Sequence, residues 1–163
     1  MDLFTILLII AVLGCSLVTG FVVTYAVVVM PGLSKLSDKE FLRAFQTTDR
    51  VIQNKHPLFM IIWLGSIISV SGTMISSIAN FGPLDSLFVI LAGSLYFLGV
   101  QGLTIIIHLP LNNRIQAIDI ENLTSQELNE ERSKFERKWN FFNNIRSVIS
   151  FSVSFILLIL LST

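Results

Sequence analysis

Cysteine is almost missing: Cys15 is the only one, so neither an internal disulfide nor a paired-thiol redox site can form. Histidine is nearly as scarce, at two residues, and no pair of cysteines has the spacing of a zinc site. There is no glycine-rich nucleotide loop, no internal repeat and no low-complexity segment. Positive charge is missing from the N-terminus, from the Asn80 to Asp85 turn and from the C-terminal Leu161-Ser162-Thr163. All eleven Lys and Arg residues lie in two stretches, Pro31 to Lys55 and Leu109 to Arg146. Both stretches are interleaved with acids and amphipathic, which argues against nucleic acid as a partner. A cleaved signal peptide is also a poor fit, because Met1-Asp2-Leu3 supplies no basic n-region and the apolar run behind it is too long.

Four apolar runs fill the spaces between and around the basic stretches. A bilayer core needs about 20 apolar residues per helical crossing. The runs Leu3 to Met30, Pro57 to Ala79, about Leu84 to His108 and about Phe142 to Leu161 meet that length. The first, from residue 3 to 30, exceeds a core of about 30 Å and is expected to tilt. The expected fold is all-α, one membrane domain over residues 1–163, built as a four-transmembrane-helix bundle. The positive-inside rule places residues 31–55 and 109–141 in the cytoplasm, with both termini and the Asp85 turn outside.

The first cytoplasmic stretch opens with Met30-Pro31-Gly32, which is expected to end the first helix. Ser37, followed by Asp38 and Glu40, starts an amphipathic helix. Phe41, Leu42, Phe45 and Ile52 share an apolar flank of it, while Gln46, Asp49, Arg50 and Gln53 share a polar one. That polar flank faces either water or the mouth of the bundle. In the second stretch, Thr124 and Glu127 fit a capping box, so one helix should run from Ser125 to Leu161 as a cytoplasmic extension of the fourth span. Its charged part is expected to project from the membrane or lie on its surface.

Polar groups within the spans are costly in hydrocarbon and therefore lead to the site. Gln101, Thr104, His108 and Asn112 form one helical stripe, and Trp139, Asn143, Arg146, Ser150 and Ser154 form another. If the two face each other, they enclose a polar pocket at the basic end, roofed by Trp139 and Tyr25. Ser150 and Ser154, with Gly14, Gly20, Gly65, Gly72, Gly93, Gly99 and Gly102, also suit close helix packing. Arg146 sits about one turn inside the apolar run, where a charge costs up to about 3 kcal/mol at mid-bilayer. It either snorkels outward or turns inward to meet an anion or a polarised oxygen. His56 and His108, near the basic end of neighbouring spans, are the only residues able to ligate haem or a metal there, and no membrane carboxylate or thiol accompanies them.

The ordered set Gly20, Met30-Pro31-Gly32-Leu33, Ala44-Phe45-Gln46 and Asn54-Lys55-His56-Pro57 resembles a family of four-helix membrane proteins, largely of unknown function, that includes anthrone oxygenases. Thr104, Leu109-Pro110-Leu111-Asn112 and Trp139 with Asn143 and Arg146 continue the resemblance over nearly the whole chain. Matching positions are Gln46, Asn112, Trp139, Asn143 and Arg146. The resemblance implies a cofactor-independent oxygenase, using no metal, whose partners are the bilayer, oxygen and a lipophilic anthrone-like or quinol-like aromatic substrate. On that reading His108 is the base, and Arg146 with Asn143 and Asn112 stabilises an oxyanion. Trp139 and Tyr25 supply aromatic walls, and Gln46 and Gln101 contact the substrate. Two other readings stay open: a non-catalytic subunit associated with a membrane-protein partner or a second copy, and a haem-binding electron carrier.

Overall fold

The computed structural model describes residues 1–162. It contains helices α1 (Leu3–Leu33), α2 (Asp38–Gln53), α3 (Pro57–Asp85), α4 (Leu87–Ala117) and α5 (Ser125–Ser162), with a short 3-10 turn at Ile120–Asn122. No strand occurs among the described residues. α1, α3, α4 and α5 are each long and apolar enough to cross a membrane, so this is a multi-pass integral membrane protein of all-α class.

Several boundaries differ from the sequence reading. Pro31 does not end α1, which runs on to Leu33. A wide π-type turn at Tyr25–Val29 precedes the proline, with Met30 N–H donating to the Tyr25 carbonyl, and the missing proline donor is absorbed there. Pro110 is crossed in the same way, since α4 carries π-type turns at Tyr96–Gly102 and Thr104–His108 and continues to Ala117. The break between α3 and α4 falls at Gly82, whose φ of 81° only glycine adopts freely. Ser86 Oγ donates to the Gly82 carbonyl at 2.7 Å and accepts from Ser77 Oγ at 2.8 Å, tying this turn together.

The bundle core is formed by Leu8, Ala11, Cys15, Val70, Tyr96 and Val153 and their neighbours. α1 packs along α3 and α5, and α4 packs along α5, whereas α3 meets α4 mainly through its first segment, Leu87–Leu95. α3 and α4 therefore diverge toward the basic end. At that end a second core forms, with Phe41, Leu42 and Phe45 of α2 packed on Ile115, Phe135 and Trp139. Ring centroids of Phe45 and Phe135 lie 4.5 Å apart, and burial of each such ring is worth roughly 1.5–3 kcal/mol. This contact gives the charged part of α5 a packing partner in α2. Arg132 completes the clamp, donating to the Ser34 and Leu36 carbonyls, Asp38 and Glu136. The capping box read at Thr124 and Glu127 is formed, and the Ser37 cap is likewise a box, closed by Glu40.

The glycines divide by what a side chain would meet. A Cβ on Gly14 would lie 3.0 Å from the Ser66 backbone, so α1 and α3 touch there, whereas Gly20 and Gly65 face open space. Replacing Gly14 by Val should therefore cost about 1–3 kcal/mol through overpacking. The check is thermal unfolding in detergent, where Gly14→Val should melt several degrees lower and Gly20→Ala should match the wild type.

Candidate functional site

The divergence of α3 from α4 leaves a cavity of about 300 Å³, roofed by α2 and walled by all four spans. That volume is at the lower end of the range for small-molecule sites, roughly 300–1,000 Å³. Val18, Phe21, Phe59, Met60, Ile62 and Val100 make most of its surface apolar. Its floor is a polar chain across the spans. Trp63 Nε1 donates to Gln101 Oε1 at 2.9 Å, and Gln101 Nε2 donates to Tyr96 Oη at 2.7 Å.

Arg146 enters this cavity from α5 and is 8% exposed. One terminal nitrogen donates to Thr104 Oγ1 at 2.9 Å and the other to Asn143 Oδ1 at 2.6 Å. Thr104 Oγ1 in turn donates to the Val100 carbonyl at 2.7 Å, and Asn143 Nδ2 donates to the Val22 carbonyl at 3.0 Å. Each side chain that holds the guanidinium is thus neutral and fixed by a backbone carbonyl. Arg146 Nε has no hydrogen-bond partner, and among the described residues no carboxylate forms an ion pair with this guanidinium.

His108 is 2% exposed and lines the same wall. Its ring meets Trp139 edge-on, at 5.1 Å and 78°. The ring approaches the Phe142 carbonyl without reaching hydrogen-bond geometry, so neither nitrogen is partnered. Two buried donor or acceptor groups, Arg146 Nε and the His108 ring, therefore stand unsatisfied beside one apolar cavity, a costly arrangement unless a ligand completes it.

Near the mouth runs a second polar chain. Trp139 Nε1 donates to Asn112 Oδ1 at 2.9 Å, and Asn112 Nδ2 donates to Asp49 Oδ1 at 2.8 Å. The other Asp49 oxygen accepts from Gln116 at 3.0 Å and Gln53 at 3.3 Å. Asp49 is 2% exposed and lines the cavity. Burial pushes its carboxyl above the ordinary carboxylate range, against the opposing pull of those amide donors.

Of the residues singled out from sequence, Tyr25, Gln101, His108, Asn112, Trp139 and Arg146 line the cavity. Asn143 is fully buried behind Arg146. Gln46 is not on the cavity wall, because its amide donates to the Ile115 and Ile118 carbonyls at 2.7 and 3.0 Å and pins the end of α4. His56 is exposed at the start of α3 and also lies off the wall, so it and His108 do not face one site. Ser150 bonds back to the Ser147 carbonyl and Ser154 reaches Thr19, both as packing contacts. Among the described residues no three His, Cys, Asp or Glu side chains gather to hold a metal ion. Of the two readings of the polar flank of α2, Asp49 follows the one that faces the mouth of the bundle: residues 41, 45 and 49 recur every four positions, which puts it on the buried stripe. Trp63, hidden in an apolar run, escaped the sequence reading.

Fold and site together define a four-span membrane bundle with an apolar cavity that carries unsatisfied cationic and imidazole groups. The anthrone oxygenase family model matches residues 49–156, and the chain belongs to that family. No curated protein and no solved structure matches it.

Because the folded state raises the Asp49 carboxyl, the native protein binds more protons than the unfolded chain just above the ordinary Asp value of about 3.9. The Asp49 contribution to stability is thus fully present below that value and is lost as pH rises through the raised one. Melting curves in detergent across that window should show wild type losing ground relative to Asp49→Asn as pH rises; a constant difference would deny the shift.

Proposed function

We propose that this protein is a cofactor-independent oxygenase, oriented with its basic end in the cytoplasm, that converts the activated methylene of a lipophilic anthrone-like aromatic to a carbonyl. The observation that carries the reading is the buried Arg146 guanidinium, held only by neutral groups and facing an apolar cavity beside an unpartnered His108. Membership of the anthrone oxygenase family supports it.

The cavity residues divide the work. His108 takes a proton from the methylene, leaving an enolate whose oxygen meets Arg146. A guanidinium with a free donor in a low-dielectric site stabilises such an oxyanion far better than water does. The enolate gives one electron to oxygen, and the resulting superoxide and carbon radical combine at the former methylene to form a peroxide. Protonated His108 returns its proton to that peroxide. Loss of the remaining methylene hydrogen, with cleavage of the O–O bond, then gives the new carbonyl and one water. One oxygen molecule is consumed for each methylene oxidised, so no external reductant is needed.

Asn143 and Asn112 act as positioning residues in this scheme rather than as direct oxyanion donors. The first is committed to Arg146 and the Val22 carbonyl, and the second links Trp139 to Asp49. Trp139 and Tyr25, with ring centroids 5.5 Å apart, form the aromatic wall, and Gln101 closes the floor. Gln46 has no place in the reaction.

Oxygen uptake by detergent-purified protein given anthrone is the direct test. Wild type should consume one oxygen per anthrone, well above spontaneous oxidation. Loss of one oxyanion donor group lowers rates by roughly 10²–10³. Arg146→Ala should therefore fall to near the spontaneous rate while keeping its helical content. Equal rates in folded wild type and variant would refute the role.

A further inference from the structure

Arg146 and Asp49 face the same cavity but do not meet. Arg146 is anchored at Thr104 at 2.9 Å and Asp49 at Asn112 at 2.8 Å. From residue 104 to 112 along α4 the axial rise is about 10 to 12 Å at roughly 1.5 Å per residue, less through the wide turns. Allowing one hydrogen bond of about 2.8 Å at each end leaves about 4 to 6 Å between the ligand atoms that would touch the two groups. The chemistry of the two ends is opposite: a guanidinium takes an oxygen acceptor, and a carboxylate takes an O–H donor. Asp49 has room for it, because a carboxylate has about four acceptor positions and Asn112, Gln53 and Gln116 occupy three.

We infer that Asp49 is a specificity residue of this cavity, selecting flat fused-ring ketones that carry a free hydroxyl on an outer ring, with the ketone oxygen toward Arg146 and the hydroxyl donated to Asp49. This rests on the cavity being the aromatic substrate site. The required span matches the distance from a central-ring carbonyl to an outer-ring hydroxyl in a tricyclic frame. A hydroxyl beside the carbonyl is excluded as a donor, since its proton is already closed onto that carbonyl. Between the two ends lie His108 and the Trp139 ring, which face the flat middle of the ligand. The apolar remainder of the wall accounts for the rest of the frame and for entry from lipid.

Fully oxidised quinones test this without turnover. The affinities of 2-hydroxyanthraquinone, 1-hydroxyanthraquinone and anthraquinone would be measured on the full-length protein in detergent, by quenching of tryptophan fluorescence, at a pH where the hydroxyl is un-ionised. A hydrogen bond to a charged acceptor predicts roughly tenfold or more in affinity. The 2-hydroxy compound should bind about that much tighter than the other two, and in Asp49→Asn it should bind no tighter than anthraquinone does to the same variant. Equal affinity of wild type for the 2-hydroxy compound and anthraquinone would overturn the inference. The comparison of the three compounds on wild type stands alone if Asp49→Asn does not fold. Absence of binding by all three would overturn both the inference and the aromatic site on which it rests. The expected discrimination without oxygen uptake from anthrone would support the inference and overturn the oxygenase reading.

Discussion

A buried cation that no carboxylate among the described residues neutralises is the constraint around which this bundle is organised. Arg146 lies inside the apolar part of α5, 8% exposed, with Thr104 and Asn143 as its hydrogen-bonded partners among the described residues. Neither partner offsets its charge, and both are tied to carbonyls on other turns, Val100 and Val22. A guanidinium placed in this way is costly when the cavity holds nothing complementary and favourable when an oxygen with negative charge arrives. Its setting is buried throughout: Asn143, which holds it, is completely buried, and Trp139 lines the same cavity.

The cavity itself follows from backbone geometry. Wide turns at Tyr25–Val29, Tyr96–Gly102 and Thr104–His108 sit along it, and the first and last of them end two residues before Pro31 and Pro110, each of which removes a donor from the helix ladder. Turns of this kind rotate side chains out of ordinary helical register and recur at functional sites. Here they supply Tyr25, Gln101, Thr104 and His108 to one wall. The contact of α3 with α4 is concentrated near the Gly82 turn, and the Trp63–Gln101 bond marks where the two helices part. Below that point α2 takes the place of helix packing, closing the opening with an aromatic cluster and with Asp49.

How much of this was legible beforehand depends on the kind of signal. Charge asymmetry and apolar run length reveal four spans, because bilayer thickness imposes helix length directly. The spacing of Gln101, Thr104, His108 and Asn112 by three, four and four residues reveals a shared face, because helical geometry does not depend on the neighbours. The path of α1 through Pro31 and of α4 through Pro110 was not legible, since a proline stops or merely bends a helix according to whether the preceding turn can widen. Gln46 was misjudged for a different reason: an amide on a helix flank serves a ligand or a backbone carbonyl with equal chemistry, and only the position of Ile115 and Ile118 decides. For Asp49 the spacing left both water and the bundle mouth open, and its three amide donors, drawn from two helices, decide for the mouth.

The most direct measurement is an experimental structure of the protein with 2-hydroxyanthraquinone bound. The expected result is the tricyclic frame in the cavity against Trp139, with a quinone oxygen within about 3 Å of the Arg146 guanidinium. A quinone lying elsewhere, or a cavity filled by a lipid chain while Arg146 faces water, would contradict the account of Arg146 as the anchor of a substrate oxygen.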